Sequence, residues 1–294
     1  MSNNIPTLSS YRGCLLGLAI GDALGTAVEF MPRGSFQPVT DMRGGGFFNL
    51  PAGYWTDDTS MTLCLAESII QTGKFDPIDQ MNRYCDWYEN GYLSSIGRCF
   101  DIGETTRLAL ERYLKNGLPY AGSIHPNSSG NGGIMRLAPV VMGFHDQPID
   151  VIDDYVVKSS MTTHGSPACI KTAGEMGRLL VELLNPYPIV FGKQEVIDKT
   201  IDQIKGSGFV VESYEAALWC FLKTNSFEEA VLTAVNLGDD ADTTGAIVGQ
   251  LAGAFYGVEG IPEHWPDKLH MRDMIDDKAI KLYEMAYGSR TELQ

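Results

Sequence analysis

Basic residues are scarce: 22 Lys and Arg stand against 37 Asp and Glu in 294 residues, a formal charge of −15. A nucleic-acid binder needs a basic patch to displace counterions from phosphates, so this balance excludes that class. It suits cation binding instead, provided the carboxylates cluster. Histidine is scarcer still. Only five are present (His125, His145, His164, His264, His270), with no H-E-x-x-H and no tight pair, which removes the usual zinc sites. The six cysteines (Cys14, Cys64, Cys85, Cys99, Cys169, Cys220) include no C-x-x-C. The opening MSNNIPTLSSYRG has no basic stretch followed by an apolar one, so no secretory leader is expected. The cysteines are therefore read as free thiols of a cytoplasmic chain. No apolar run reaches the ~20 residues of a membrane span, and Gly245 to Val258 reads as a buried helix. The signatures G-x-x-x-x-G-K-S/T, G-x-G-x-x-G and G-x-S-x-G are absent, which removes the ordinary nucleotide loops and the α/β-hydrolase elbow.

What is present is globular: 44% hydrophobic and 20% charged residues, ample for a core. Apolar residues recur at helical spacing over Tyr11–Glu29, Thr59–Gln71, Pro77–Asn90, Thr105–Leu114, Gly132–Gly143 and Val151–Met161. The pattern resumes over Pro167–Leu184, Gln194–Ile204, Tyr214–Lys223, Phe227–Leu237, Thr243–Gly257 and Lys268–Tyr287. Strand alternation is confined to Gly208–Glu212. The expected class is all-α, a compact multi-helix bundle. With no linker rich in Pro, Gly and Ser and no repeat, one domain over 1–294 is expected. Glycines at 13, 17, 21 and 25, and again at 245, 249 and 253, form rows that predict close backbone approach between packed helices.

Carboxylate is the chemistry left. Trp55-Thr56-Asp57-Asp58-Thr59-Ser60-Met61 and Gly238-Asp239-Asp240-Ala241-Asp242-Thr243-Thr244-Gly245 each precede an apolar helix. Helix capping explains one such Asp, not two or three. Acids so close to the interior repel unless a cation neutralises them. Hard divalent ions with octahedral oxygen shells, Mg²⁺ or Mn²⁺, fit such donors, and no EF-hand loop points to calcium. The turn at Gly130–Gly133 opens a predicted helix, so it reads either as a plain turn or as bare N–H groups offered to a diphosphate.

These residues resemble the ADP-ribosylglycohydrolases over nearly the whole chain. The shared pieces run in order: Gly21-Asp22-Ala23-Leu24-Gly25, Glu29-Phe30, Gly44-Gly45-Gly46, the Trp55 cluster, Ser129-Gly130-Asn131-Gly132-Gly133-Ile134-Met135-Arg136, Thr163-His164 and the Gly238 cluster. The resemblance implies an orthogonal all-α bundle with two Mn²⁺ or Mg²⁺ ions held by Glu29, Thr56, Asp57, Asp58, Asp240, Asp242 and Thr243. Asp239 falls outside that set and is expected to be a surface acid. Ser129, Gly130, Asn131, Gly132 and His164 would line an ADP-ribose pocket, and Gly44–Gly46 is either a flap near the metals or a surface turn. Phe100-Asp101-Ile102-Gly103-Glu104-Thr105-Thr106 is similar to the dinitrogenase reductase-activating branch, which makes Asp101 a candidate proton donor against the alternative of an N-cap. Glu29 and Asp58 are the further catalytic candidates. The implied reaction is hydrolysis of ADP-ribose from protein arginine. The implied substrate is dinitrogenase reductase, with a PII-type regulatory protein as partner. The alternatives are another ADP-ribosyl linkage, to serine or a small molecule, and a non-catalytic ADP-ribose-binding module.

Overall fold

Rows of glycine need a neighbour close enough to touch backbone, and the fold supplies one. A computed structural model describes residues 5–186 and 193–288, so residues 1–4, 187–192 and 289–294 of the expected 1–294 domain lie outside the described residues. Among the described residues the chain forms thirteen α-helices. They are α1 (Leu8–Gly25), α2 (Asp57–Thr72), α3 (Pro77–Asn90), α4 (Glu104–Asn116), α5 (Ala138–Gly143), α6 (Ile149–Met161) and α7 (Pro167–Leu184). Then follow α8 (Gln194–Ile197), α9 (Val210–Lys223), α10 (Phe227–Val235), α11 (Ala241–Tyr256), α12 (His264–Lys268) and α13 (Arg272–Tyr287). Extended pairing among the described residues is limited to isolated bridges.

α1 and α11 run antiparallel with their glycine rows in register. A Cβ on Gly13, Gly17 or Gly21 would collide with the carbonyl of Gly253, Gly249 or Gly245, and the converse holds at each α11 glycine. At the end of the row, a Cβ on Gly25 would strike the Asp242 backbone. The helix C-terminus that leads to Glu29 is thereby locked against the N-terminus that carries Asp240 and Asp242. Around this pair the core is continuous, with Trp55, Trp87 and Trp265 fully buried. The six cysteines are free; five are buried and Cys99 is half-buried. No described helix is long and apolar enough to cross a membrane.

Three expectations are corrected. Gly208–Glu212 is not a strand. α9 starts at Val210, and the extended remnant is one bridge between Gly130 and Phe209. The β-branched Val210-Val211 pair follows the amphipathic period of the helix it opens, with Val210 buried. The helix expected over Gly132–Gly143 is only Ala138–Gly143. Pro139 sits at its first turn, and Gln250 of α11 takes over the local backbone, accepting from Ala138 N (3.0 Å) and donating to Met135 O (2.9 Å). Gly130–Gly133 therefore does not open a helix, and the dipole argument for that turn falls. Finally, Gln194–Ile204 breaks after Ile197, with a single 3₁₀ turn at Ile201–Gln203.

Candidate active site

Three helix ends converge on one cavity of about 640 Å³. The turn after α1 brings Glu29, the start of α2 brings Asp57 and Asp58, and the start of α11 brings Asp240, Asp242 and Thr243. Capping does not account for the acids at these starts. Neither Thr56 nor Asp240, the residues in the N-cap positions, makes a side-chain cap hydrogen bond. The α2 terminus is capped instead from another helix. The fully buried Asp22 of α1 accepts from Thr56 N (2.9 Å), Thr56 Oγ1 (2.9 Å), Thr59 N (3.0 Å) and Thr59 Oγ1 (2.6 Å). Asp57 and Asp58 are thus released from terminal duty. Asp22 is the structural residue that sequence reasoning missed; a charged residue inside a Gly and Ala row was the available signal.

The acids are knitted together by hydroxyls. Thr56 Oγ1 lies 3.0 Å from Asp242 Oδ2 and 3.4 Å from Asp58 Oδ2, and Thr243 Oγ1 lies 3.2 Å from the same Asp58 oxygen. Glu29, Asp101 and Asp242 each turn a carboxylate oxygen to within 4.8 Å of the others. Asp101 reaches this point with φ +59, in the left-handed region. It is not an N-cap, because Gly103 holds that position on α4. Burial first, and mutual repulsion second, push the carboxyls up. Glu29, Asp57, Asp58 and Asp101 rise far above the ordinary range. Burial also lifts Asp22 and Asp242 to about 6 and Asp240 to about 7. None of the residues lining the cavity is Lys or Arg. Glu29 Oε2, Asp58 Oδ1 and Asp242 Oδ1 are buried with no hydrogen-bond partner. An unpartnered buried carboxylate oxygen is costly, and an oxygen-rich cluster of this kind fits hard cations.

The opposite wall is built differently. Gly130, Asn131, Gly132 and His164 line it together with Ser207 and Gly208, which sequence reasoning did not place at the site. Asn131 N donates to Gly208 O (3.1 Å), and Asn131 Nδ2 donates to Asp240 Oδ2 (2.6 Å), so this residue spans both walls. The glycines make room for His164: a Cβ on Gly132 would come within 2.6 Å of His164 Cε1. Behind them lies Arg136, fully buried, whose hydrogen-bond partners are all neutral. Its guanidinium donates to the Tyr84 hydroxyl (2.7 Å), the Gly132 carbonyl and Thr163 Oγ1 (2.6 Å). Thr163 has one hydroxyl proton, and Arg136 can only donate to it. Thr163 Oγ1 also lies 2.8 Å from His164 Nδ1, and a neutral ring that accepts the Thr163 proton there carries its own proton on Nε2. Burial, with Arg136 nearby, pushes His164 down to about 3 and keeps it a neutral donor.

Of the other sequence candidates, Thr56 and Asp58 are fully buried beneath the cavity rather than lining it. The Ser129 hydroxyl turns away, toward Pro126 O (2.6 Å) and Ser166 (2.7 Å). Asp239 is exposed at the cavity rim. Gly45 and Leu50 close a tight turn around Gly46, which is pressed against Thr26 just before Glu29.

The chain is 43% identical to ADP-ribosylarginine hydrolase Tri1 of Pseudomonas putida (strain GB-1), covering 95% of this chain and 79% of that protein. It is 33% identical to the ADP-ribosyl-(dinitrogen reductase) glycohydrolase of Rhodospirillum rubrum, covering 88% and 90%. A solved structure titled ADP-ribosylglycohydrolase-related protein complex superposes with a TM-score of 0.83 at 40% identity, covering 95% of this chain and 98% of that one. A family profile described as ADP-ribosylglycohydrolase matches residues 3–292, and the chain belongs to that family.

Proposed function

We propose that the protein is a metal-dependent hydrolase that releases ADP-ribose from an N-glycosidic bond to protein arginine. The observation that carries this reading is the pairing, across one cavity, of unpartnered carboxylate oxygens with a wall of neutral donors. Support for the arginine linkage comes from the relatives named ADP-ribosylarginine hydrolase, at 43% and 42% identity.

In this reading Glu29, Thr56, Asp57, Asp58, Asp240, Asp242 and Thr243 hold two Mn²⁺ or Mg²⁺ ions. Bound there, the ions supply the positive charge the cluster lacks and Lewis acidity toward sugar hydroxyls. The neutral wall of Gly130, Asn131, Gly132 and His164 takes the anionic diphosphate, with the buried Arg136 charge behind it. Breaking the bond between the anomeric carbon and the guanidine nitrogen builds positive charge on the ribose, which the surrounding carboxylates stabilise. Asp101, which brings a carboxylate oxygen within 4.8 Å of those of Glu29 and Asp242, is placed to give a proton to the departing guanidine. A second carboxylate takes a proton from the attacking water, whose oxygen forms the new bond to the anomeric carbon. Glu29 lines the cavity whereas Asp58 lies beneath it, so Glu29 in its ionised form is the carboxylate placed for that step.

The test is to incubate the protein with arginine-linked and serine-linked ADP-ribosylated proteins, with and without Mn²⁺ or Mg²⁺, and to measure free ADP-ribose. ADP-ribosylated dinitrogen reductase belongs among the arginine-linked substrates, because a relative is named for it. Metal-dependent release from arginine is expected. Release from serine alone would overturn the linkage, and ADP-ribose binding without any release would mark a binding module.

A further inference from the structure

The acid end of the cavity carries a feature that its chemistry does not use. Glu29 is followed by Phe30, and Asp101 is preceded by Phe100. Between these two rings stand Phe47 and Phe48, carried on the turn that Gly45 and Leu50 close. The four make an edge-to-face ladder: Phe100 to Phe48 at 5.2 Å, Phe48 to Phe47 at 5.1 Å and Phe47 to Phe30 at 5.2 Å between ring centroids. Phe100 anchors the inner end and is 9% exposed, whereas Phe30 and Phe47 are 56% and 72% exposed.

Holding these rings outward is not a default of the backbone. Phe30 has φ +61, an unfavourable region for a bulky residue, and is clamped there by Phe30 N to Asp239 O (2.7 Å) and Asp239 N to Met31 O (2.8 Å). The turn bearing Phe47 relies on Gly45 at φ +112 and Gly46 at φ +70. Exposed aromatic surface presented by constrained backbone marks a contact site.

We infer that the ridge of Phe30 and Phe47 receives the guanidinium-bearing side chain of the acceptor and selects it over an acceptor without a cation. This inference rests on the arginine-linked reading above. The position follows from the chemistry: the bond is cut beside Glu29 and Asp101, so the acceptor leaves from this end, and Phe30 lines the cavity there. The occupant follows from charge. The lining offers carboxylates, an exposed Asp239 and no basic side chain, and a flat delocalised cation is what an aromatic face beside carboxylates holds best. A serine acceptor brings no charge to stack.

Substituting Phe30→Leu and Phe47→Leu together keeps apolar area but removes the ring quadrupole. The double variant should lose about three- to thirtyfold in kcat/KM on an arginine-linked peptide, mainly through KM. Its affinity for free ADP-ribose should stay within about twofold of wild type, and Phe30→Trp should retain activity. A parallel loss of ADP-ribose affinity would assign the ridge to the nucleotide instead, and wild-type kinetics in the Leu variant would leave the ridge without this role. Agmatine, titrated calorimetrically into the ADP-ribose-loaded protein, separates the two levels of the argument. If wild type does not cleave arginine linkages yet binds agmatine better than the Leu variant, the reaction assignment fails and the ridge stands. Equal agmatine binding by both overturns the ridge.

Discussion

The two walls of the cavity solve opposite problems. At the Gly130–His164 wall the polar groups are linked in a chain, Arg136 to Thr163 to His164. At the carboxylate wall the chain is open, with Glu29 Oε2, Asp58 Oδ1 and Asp242 Oδ1 unpartnered and all the acids pushed up by burial and one another. One wall is complete without an addition, and the other is stable only when protonated or charged from outside. The first wall is therefore preorganised, while no Lys or Arg lines the cavity to neutralise the second.

Removing a ligand breaks the contrast most severely. Asp57→Ala or Asp242→Asn should cut ADP-ribose release by more than about 100-fold, beyond the 10–100-fold cost of disturbing a metal's outer partners. Metal content measured by mass spectrometry should fall with it, while helicity by circular dichroism is kept. Near wild-type release by either variant would refute the ligand assignment. Asp101→Asn should slow turnover by about 100-fold with metal content intact, as expected for a proton donor. Loss of metal there would move Asp101 into the ligand set.

The next largest effect is on stability. Asp22 and Asp242 near 6 and Asp240 near 7 lie above the ordinary unfolded value of about 4, so the folded state binds more protons in that interval. With metal chelated, the stability these groups contribute is present at low pH and is lost as pH rises through about 6 to 7. The slope is about 1.4 kcal/mol per pH unit for each titrating carboxyl, or about 3 °C in Tm. Mn²⁺ or Mg²⁺ should flatten it. A Tm that rises from about pH 5 to pH 8 under chelation would mean the acids are neutralised by other means.

The smallest effect sharpens the other wall. Thr163→Val removes the hydroxyl that fixes His164, so nitrogen NMR of histidine-labelled protein should show the ring proton shifting from Nε2 toward Nδ1. KM should rise about three- to tenfold with kcat nearly unchanged, and Thr163→Ser should restore both. A wild-type ring already protonated at Nδ1 would contradict the assignment.

Much of this is legible in the sequence. Helical periodicity located the core helices, and the two Asp-rich starts and the Gly130 loop were visible as strings. The illegible parts are those where one element completes another. Asp22 looks like a stray charge until it caps α2 from α1. The pattern over Gly132–Gly143 reads as helix because nothing local reveals that Gln250, more than a hundred positions away, satisfies its backbone instead. Val210-Val211 favoured a strand by propensity and became the first turn of α9 by packing.

The sequence by itself determined the helical class and the inventory of oxygen donors, because both depend on the identity and spacing of near neighbours. Only the tertiary structure decided which donors meet. Gly13 to Gly25 set against Gly253 to Gly245 bring two backbones into contact in a single register, and that register alone carries Glu29 to Asp242 across more than two hundred residues of chain. Side-chain charge can be read from a string of letters, but its desolvation and its repulsion fall off with distance in space, and that distance is a property of the packed helices.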